Sequence, residues 1–126
     1  MQLDKRLVLY IEDHDDTREL VTLVLQQFNF EVIGCSTVEA GIELAQTKDF
    51  DLYVLDSWLP DGSGLDLCKR IREFDQGTPI LFYSAAAYEA DRESALQSGA
   101  QAYLVKPSQT SELCAVASSL IEGARK

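Results

Sequence analysis

Histidine, cysteine and positive charge are all scarce in this chain. His14 is the single histidine among 126 residues, so a histidine metal site and a Ser-His-Asp triad both lack support. The three cysteines, Cys35, Cys68 and Cys114, are odd in number and far apart, with no CxxC or Cys/His spacing. That pattern argues against disulfides or zinc and for small apolar residues in a core. Lys and Arg total 11 against 21 Asp and Glu, a formal charge of −10. Such a sign opposes direct contact of this domain with nucleic acid or an anionic membrane. No apolar run approaches the roughly 20 residues needed to cross a bilayer. The start, "MQLDKR", has no apolar signal segment behind it. The expectation is a cytoplasmic protein.

What is present is an ordinary globular mix, 46% hydrophobic and 25% charged, in a length that suits one domain with a real core. Five short runs are apolar on consecutive positions: "RLVLYI" (6–11), "EVIGC" (31–35), "DLYVL" (51–55), "PILFY" (79–83) and "AYLV" (102–105). Consecutive apolar positions suit parallel strands buried on both faces. Amphipathic segments separate them, at about 16–28, 39–47, 65–74, 88–97 and 112–122. In the first, Leu20, Val21, Val24 and Phe28 share one helical face. Asp15 or Asp16, Ser36 or Thr37, and Ser111 are expected as helix caps, and "SGA" at 98–100 as a glycine stop. The pattern is (βα)5 over residues 1–126, with no output domain visible. Right-handed crossovers make it α/β, a doubly wound five-stranded parallel sheet with helices on both faces, and flavodoxin-like when the order is 2-1-3-4-5.

Such sheets carry their sites at the carboxyl ends of the strands. Glu12 and Asp13 follow the first strand, Asp56 the third, Ser84 the fourth, and Lys106 with Pro107 the fifth. In the order 2-1-3-4-5 the first and third strands are neighbours, so Glu12, Asp13 and Asp56 converge. Three carboxylates this close repel, so either one retains a proton or a cation sits among them. Oxygen ligands without His or Cys point to a hard cation, Mg2+ first, with Mn2+ as a substitute.

The motifs "YIED" (10–13), "VLDSWLPDGSG" (54–64), "FYSA" (82–85) and "YLVKP" (103–107) stand in order at the ends of successive strands. In this the chain resembles the receiver domains of two-component response regulators, which include the chemotaxis response regulator, over about Leu7 to Ile121. The resemblance implies that Asp56 is a phosphoacceptor, taking a phosphoryl group from a histidine kinase or a histidine phosphotransfer protein. It implies Asp13 as a direct Mg2+ ligand, Glu12 as a ligand through water, and the Trp58 backbone carbonyl as a further ligand. Ser84 and Lys106 would each bind a phosphoryl oxygen, and Tyr103 would be the aromatic switch that moves inward. A cis Lys106–Pro107 bond is implied too, as is an output through helix 4, strand 5 and helix 5. Such a domain is not an enzyme beyond its own phosphorylation and dephosphorylation.

Three positions depart from common receiver patterns. Trp58 is bulky, "GAQAY" (99–103) lacks the acidic residue of many DNA-binding relatives, and Ser108 follows Lys-Pro in place of an apolar residue. Two other readings stand beside the resemblance. "DHDDT" (13–17) matches the D-x-D-x-T pattern of haloacid-dehalogenase-type phosphatases, but that reading leaves Asp56 unexplained. A receiver-like scaffold that binds partners without phosphorylation is the other. An FMN-binding flavodoxin is disfavoured, because "EDHDD" would repel the phosphate.

Overall fold

The structure, a computed structural model, describes residues 6–125. The five apolar runs form β1 (Arg6–Ile11), β2 (Phe30–Cys35), β3 (Leu52–Leu55), β4 (Ile80–Ser84) and β5 (Ala102–Val105). They pair in parallel as one sheet, in the expected order 2-1-3-4-5. Between them run α1 (Asp15–Gln27), α2 (Val38–Thr47), α3 (Gly64–Phe74), α4 (Glu89–Gln97) and α5 (Leu113–Ala124). Among the described residues, no helix is long and apolar enough to cross a membrane.

Side chains alternate across each strand, so the sheet feeds two cores. Leu9, Ile11, Tyr53, Leu55 and Phe82 pack with residues of α2, α3 and α4. On the other face Val8, Tyr10, Val54, Leu81 and Tyr83 pack with α1 and α5. All residues of β3 and β4 are buried, which is why their sequence shows no alternation.

Helix α1 turns differently from the expected face. Val21 and Leu25 are buried, whereas Leu20 and Phe28 are 63% and 57% exposed. Apolar residues at 20, 21, 24, 25 and 28 offer two overlapping stripes, and the one formed by 21 and 25 meets Val8, Tyr10 and α5. Leu23 stays outside the core at 59% exposure.

The caps also need correction. His14, not Asp15 or Asp16, caps α1: its Nδ1 accepts from the Thr17 N–H at 3.2 Å. The two aspartates lie in the first turn, where they complement the helix dipole. Thr37 caps α2, accepting from the Ala40 N–H at 3.1 Å. Ser111 caps nothing, because a 3₁₀ turn over Thr110–Glu112 runs straight into α5. Gly99 closes α4 with φ at 119°, as the glycine stop requires. The Lys106–Pro107 bond is cis.

Candidate functional site

The parallel ladder continues one residue past each central strand. The Asp56 N–H donates to the Ile11 carbonyl at 3.1 Å, and the Glu12 N–H to the Cys35 carbonyl at 2.9 Å. Two acids are thereby fixed side by side at the carboxyl edge of the sheet. Carboxylate oxygens of Glu12, Asp13 and Asp56 all lie within 4.8 Å of one another. Glu12 and Asp56 are buried and Asp13 is exposed, so the cluster opens to solvent on one side.

The loop after Asp56 folds as a small hairpin, Trp58–Leu59 against Gly62–Ser63, which the sequence did not announce. Gly64 closes it, donating its N–H to the Ser57 carbonyl at 2.9 Å. A Cβ on Gly64 would stand 2.1 Å from the Asp56 carbonyl oxygen and 2.9 Å from the Phe82 ring. Only glycine allows the loop to fold back this tightly over the acid. Asp61, on the same loop, reaches α2 and accepts from the Val38 and Glu39 N–H groups at 2.8 and 3.1 Å. Those bonds hold its carboxyl below the ordinary range.

Lys106 enters the cluster from the far side of the sheet. Its ammonium forms a short ion pair with Glu12 Oε1 and lies 3.6 Å from Asp56 Oδ1. One cation shared by two buried acids splits their behaviour. Burial pushes the Asp56 carboxyl up, the Lys106 charge opposes this, and Glu12 adds to it; the result is about 6. Burial acts upward on Glu12 as well, but the Lys106 hydrogen bond and charge, with the His14 N–H, leave it lowered. Beneath them, the Tyr10 hydroxyl meets Glu12 Oε1 at 3.3 Å. Burial first, then the Glu12 charge, drives that phenol far upward.

The donor set fits a hard cation. Carboxylate oxygens converge, while the only imidazole nearby, His14, is engaged with Thr17 through Nδ1. The elevated Asp56 carboxyl reflects burial first and the neighbouring Glu12 charge after it, only partly offset by Lys106. A divalent ion here would relieve it.

Ser84, Tyr103 and Trp58, the other residues singled out in the sequence, take the following positions. Ser84 is buried at the end of β4, and its Oγ accepts from the Ala86 N–H at 3.1 Å. Tyr103 stacks on Phe82 at 5.8 Å between ring centroids. Its hydroxyl donates to the Ala86 carbonyl at 2.7 Å. Tyr103 is 5% exposed, in an inward position. Trp58 is 69% exposed, and it borders a cavity of about 70 Å³ with Ser63, Phe82, Asp91 and Ser94.

The D-x-D-x-T segment divides between the acid cluster, which Asp13 joins, and the start of α1. Asp15, its second acid, faces solvent and pairs with Arg18 at 2.6 Å, while Thr17 takes part in the start of α1. Asp56, unexplained under a phosphatase reading, sits in the middle of the cluster instead. Two site residues escaped the sequence reading altogether. Tyr10 could have been found, because it lies two positions before Glu12 and so on the same side of the strand. Tyr83, whose ring centroid lies 5.3 Å from the Lys106 ammonium, carries no such local signal.

Known proteins share this fold. The family model described as "Response regulator receiver domain" matches residues 8–118. The transcriptional regulatory protein CusR of Escherichia coli K12 is 37% identical over 114 residues, covering 90% of this chain and 50% of that protein. The chain thus spans about half the length of the curated relatives it matches. Among solved structures, the non-phosphorylated HemR receiver domain of Leptospira biflexa is 30% identical, with a TM-score of 0.84. The match covers 92% of this chain and 94% of that one. The receiver domain of sensor histidine kinase PA1611 of Pseudomonas aeruginosa PAO1, with magnesium coordinated in its active site cleft, is 25% identical. Its TM-score is 0.86, over 94% of this chain and 99% of that one. This chain therefore belongs to the response regulator receiver domain family.

Proposed function

We propose that Asp56 is the phosphoacceptor of a two-component relay and that this domain reports its own phosphorylation. The observation that carries the reading is the convergence of Glu12, Asp13 and Asp56 at the carboxyl edge of the sheet, with Lys106 paired to Glu12 and 3.6 Å from Asp56. An Asp56 carboxylate oxygen attacks phosphorus on a partner's phosphohistidine. The new bond is O–P, the broken one P–N, and the imidazole leaves with the electron pair. Lys106 lies within reach of the transferred group and offsets its charge. Ser84 supplies a hydroxyl to another phosphoryl oxygen.

Asp13 directly, Glu12 through water, Asp56, and the Trp58 carbonyl would hold Mg2+, or Mn2+ in its stead. That ion, when bound, supplies charge neutralisation and orientation of the phosphoryl oxygens. The donor is a histidine kinase or a histidine phosphotransfer protein. Neither catalysis on other substrates nor direct contact of this domain with nucleic acid or membrane belongs to the reading. A cytoplasmic setting goes with it.

The signal leaves through one residue. Ala86 donates its N–H to Ser84 Oγ, and its carbonyl accepts from the Tyr103 hydroxyl. A phosphoryl group that captures the Ser84 hydroxyl tugs on this residue. The surface of α4, β5 and α5 then presents a changed face to a downstream protein.

Incubation with acetyl phosphate and Mg2+, followed by intact mass, tests the reading. The expected result is a single phosphate adduct on the wild type and none on Asp56→Asn. Absence of any adduct points to a phosphorylation-independent scaffold. Steady phosphate release from simple monoesters points to a phosphatase.

A further inference from the structure

Lys106 faces a conflict that its two acid partners do not resolve. Its ammonium pairs closely with Glu12 and stands farther from Asp56. Pulled wholly onto Glu12, a flexible lysine stem would leave the acceptor without a cation. A third contact supports the ammonium: the ring of Tyr83, with its centroid at 5.3 Å. Lys106 is 17% exposed in its side chain, so little water competes with the ring for the charge. The ring itself cannot follow the lysine. Tyr83 is 2% exposed, packed in the layer of Tyr10, Leu104 and Leu113. Its hydroxyl shares a short hydrogen bond with Thr110 Oγ1, in the 3₁₀ turn before α5.

We propose that Tyr83 is a positioning residue for Lys106: its buried ring face holds the ammonium between Glu12 and Asp56. The consequence for labelling rests on the phosphoacceptor reading, whereas the placement of the lysine does not.

Two measurements on the intact protein test this. The first is NMR of ¹³C-lysine-labelled protein, where the Lys106 ε-methylene protons should lie upfield of those of the other lysines through the ring current. The shift should persist in Tyr83→Phe and vanish in Tyr83→Leu. The second is the rate of Asp56 labelling by acetyl phosphate with saturating Mg2+. Tyr83→Leu should slow it about fivefold, which is about 1 kcal/mol of barrier, with Mg2+ affinity unchanged. Tyr83→Phe should stay within about twofold of the wild type, because the face of the ring survives. An ordinary chemical shift for Lys106 in the wild type overturns the proposal, and that comparison does not depend on Tyr83→Leu folding. Equal slowing by Leu and Phe overturns it too, because the hydroxyl rather than the ring face would then matter. If the wild type takes up no phosphate while the upfield shift is present, the phosphoacceptor reading fails and the positioning stands.

Discussion

Replacing Asp56 by Asn removes one of three mutually repelling acids while keeping the shape of the side chain. In the folded protein the Asp56 carboxyl is raised from 3.8 to about 6. At 1.36 kcal/mol per pH unit, keeping it ionised costs the native state about 3 kcal/mol. The sign follows from linkage. Below about pH 4 the carboxyl is protonated in both states and no penalty exists. The penalty grows between pH 4 and pH 6 and is complete above that. Some of the gain is forfeited in the mutant, since Lys106 and Glu12 readjust around a neutral neighbour, so about 1 to 3 kcal/mol should remain. Unfolding entropy of about 2.1 cal/mol/K per residue turns this into a rise of roughly 4 to 10 °C in Tm for a chain of this length. Thermal melts in EDTA at pH 7.5 and pH 4.5 measure it. Asp56→Asn should melt higher at pH 7.5, and the gap should largely close at pH 4.5. Adding Mg2+ should then stabilise the wild type more than the mutant. A mutant no more stable than the wild type at pH 7.5, or a gap of equal size at both pH values, refutes the electrostatic account.

Three further outcomes follow from the same geometry. Gly64→Ala places a Cβ 2.1 Å from the Asp56 carbonyl oxygen, so urea unfolding should show a loss of about 2 to 4 kcal/mol; a midpoint unchanged from the wild type would show that the loop can relax. Leu23→Glu, on the 59% exposed side of α1, should slow transfer from a partner phosphohistidine and spare labelling by acetyl phosphate. Equal loss of both rates would locate the damage in the site rather than in docking. Trp58, 69% exposed at the loop after Asp56, should shield the adduct from water, so Trp58→Asn should shorten the adduct's lifetime by about tenfold or less. An unchanged lifetime, with Mg2+ affinity intact, reduces the ring to packing.

The sequence was readable wherever a signal is local. Strands buried on both faces must be apolar on successive positions, so β1, β3 and β4 declare themselves. Glu12, Asp13, Asp56, Ser84 and Lys106 were singled out because each stands at the carboxyl end of such a strand. Local signals failed where two choices were equivalent in one dimension. Helix α1 carries two apolar stripes one residue apart, and only contact with Val8, Tyr10 and α5 selects Val21 and Leu25. The cap of α1 went to His14, although acids stood next to it, because its ring reaches the Thr17 N–H.

By itself, then, the order of apolar runs determined a doubly wound sheet, and with it the edge at which the acids gather. The tertiary structure decided their relations. That Lys106 binds Glu12 more closely than Asp56 depends on residues about fifty and ninety positions away. The Tyr83 ring under the lysine and the Asp61 carboxylate at the start of α2 each meet a partner 23 positions away. Hydrophobic periodicity encodes which face of an element is buried, but it carries no information about which charged atoms will meet across strands. Those distances, and the burial and charge balance that together raise Asp56, exist only once the chain has closed.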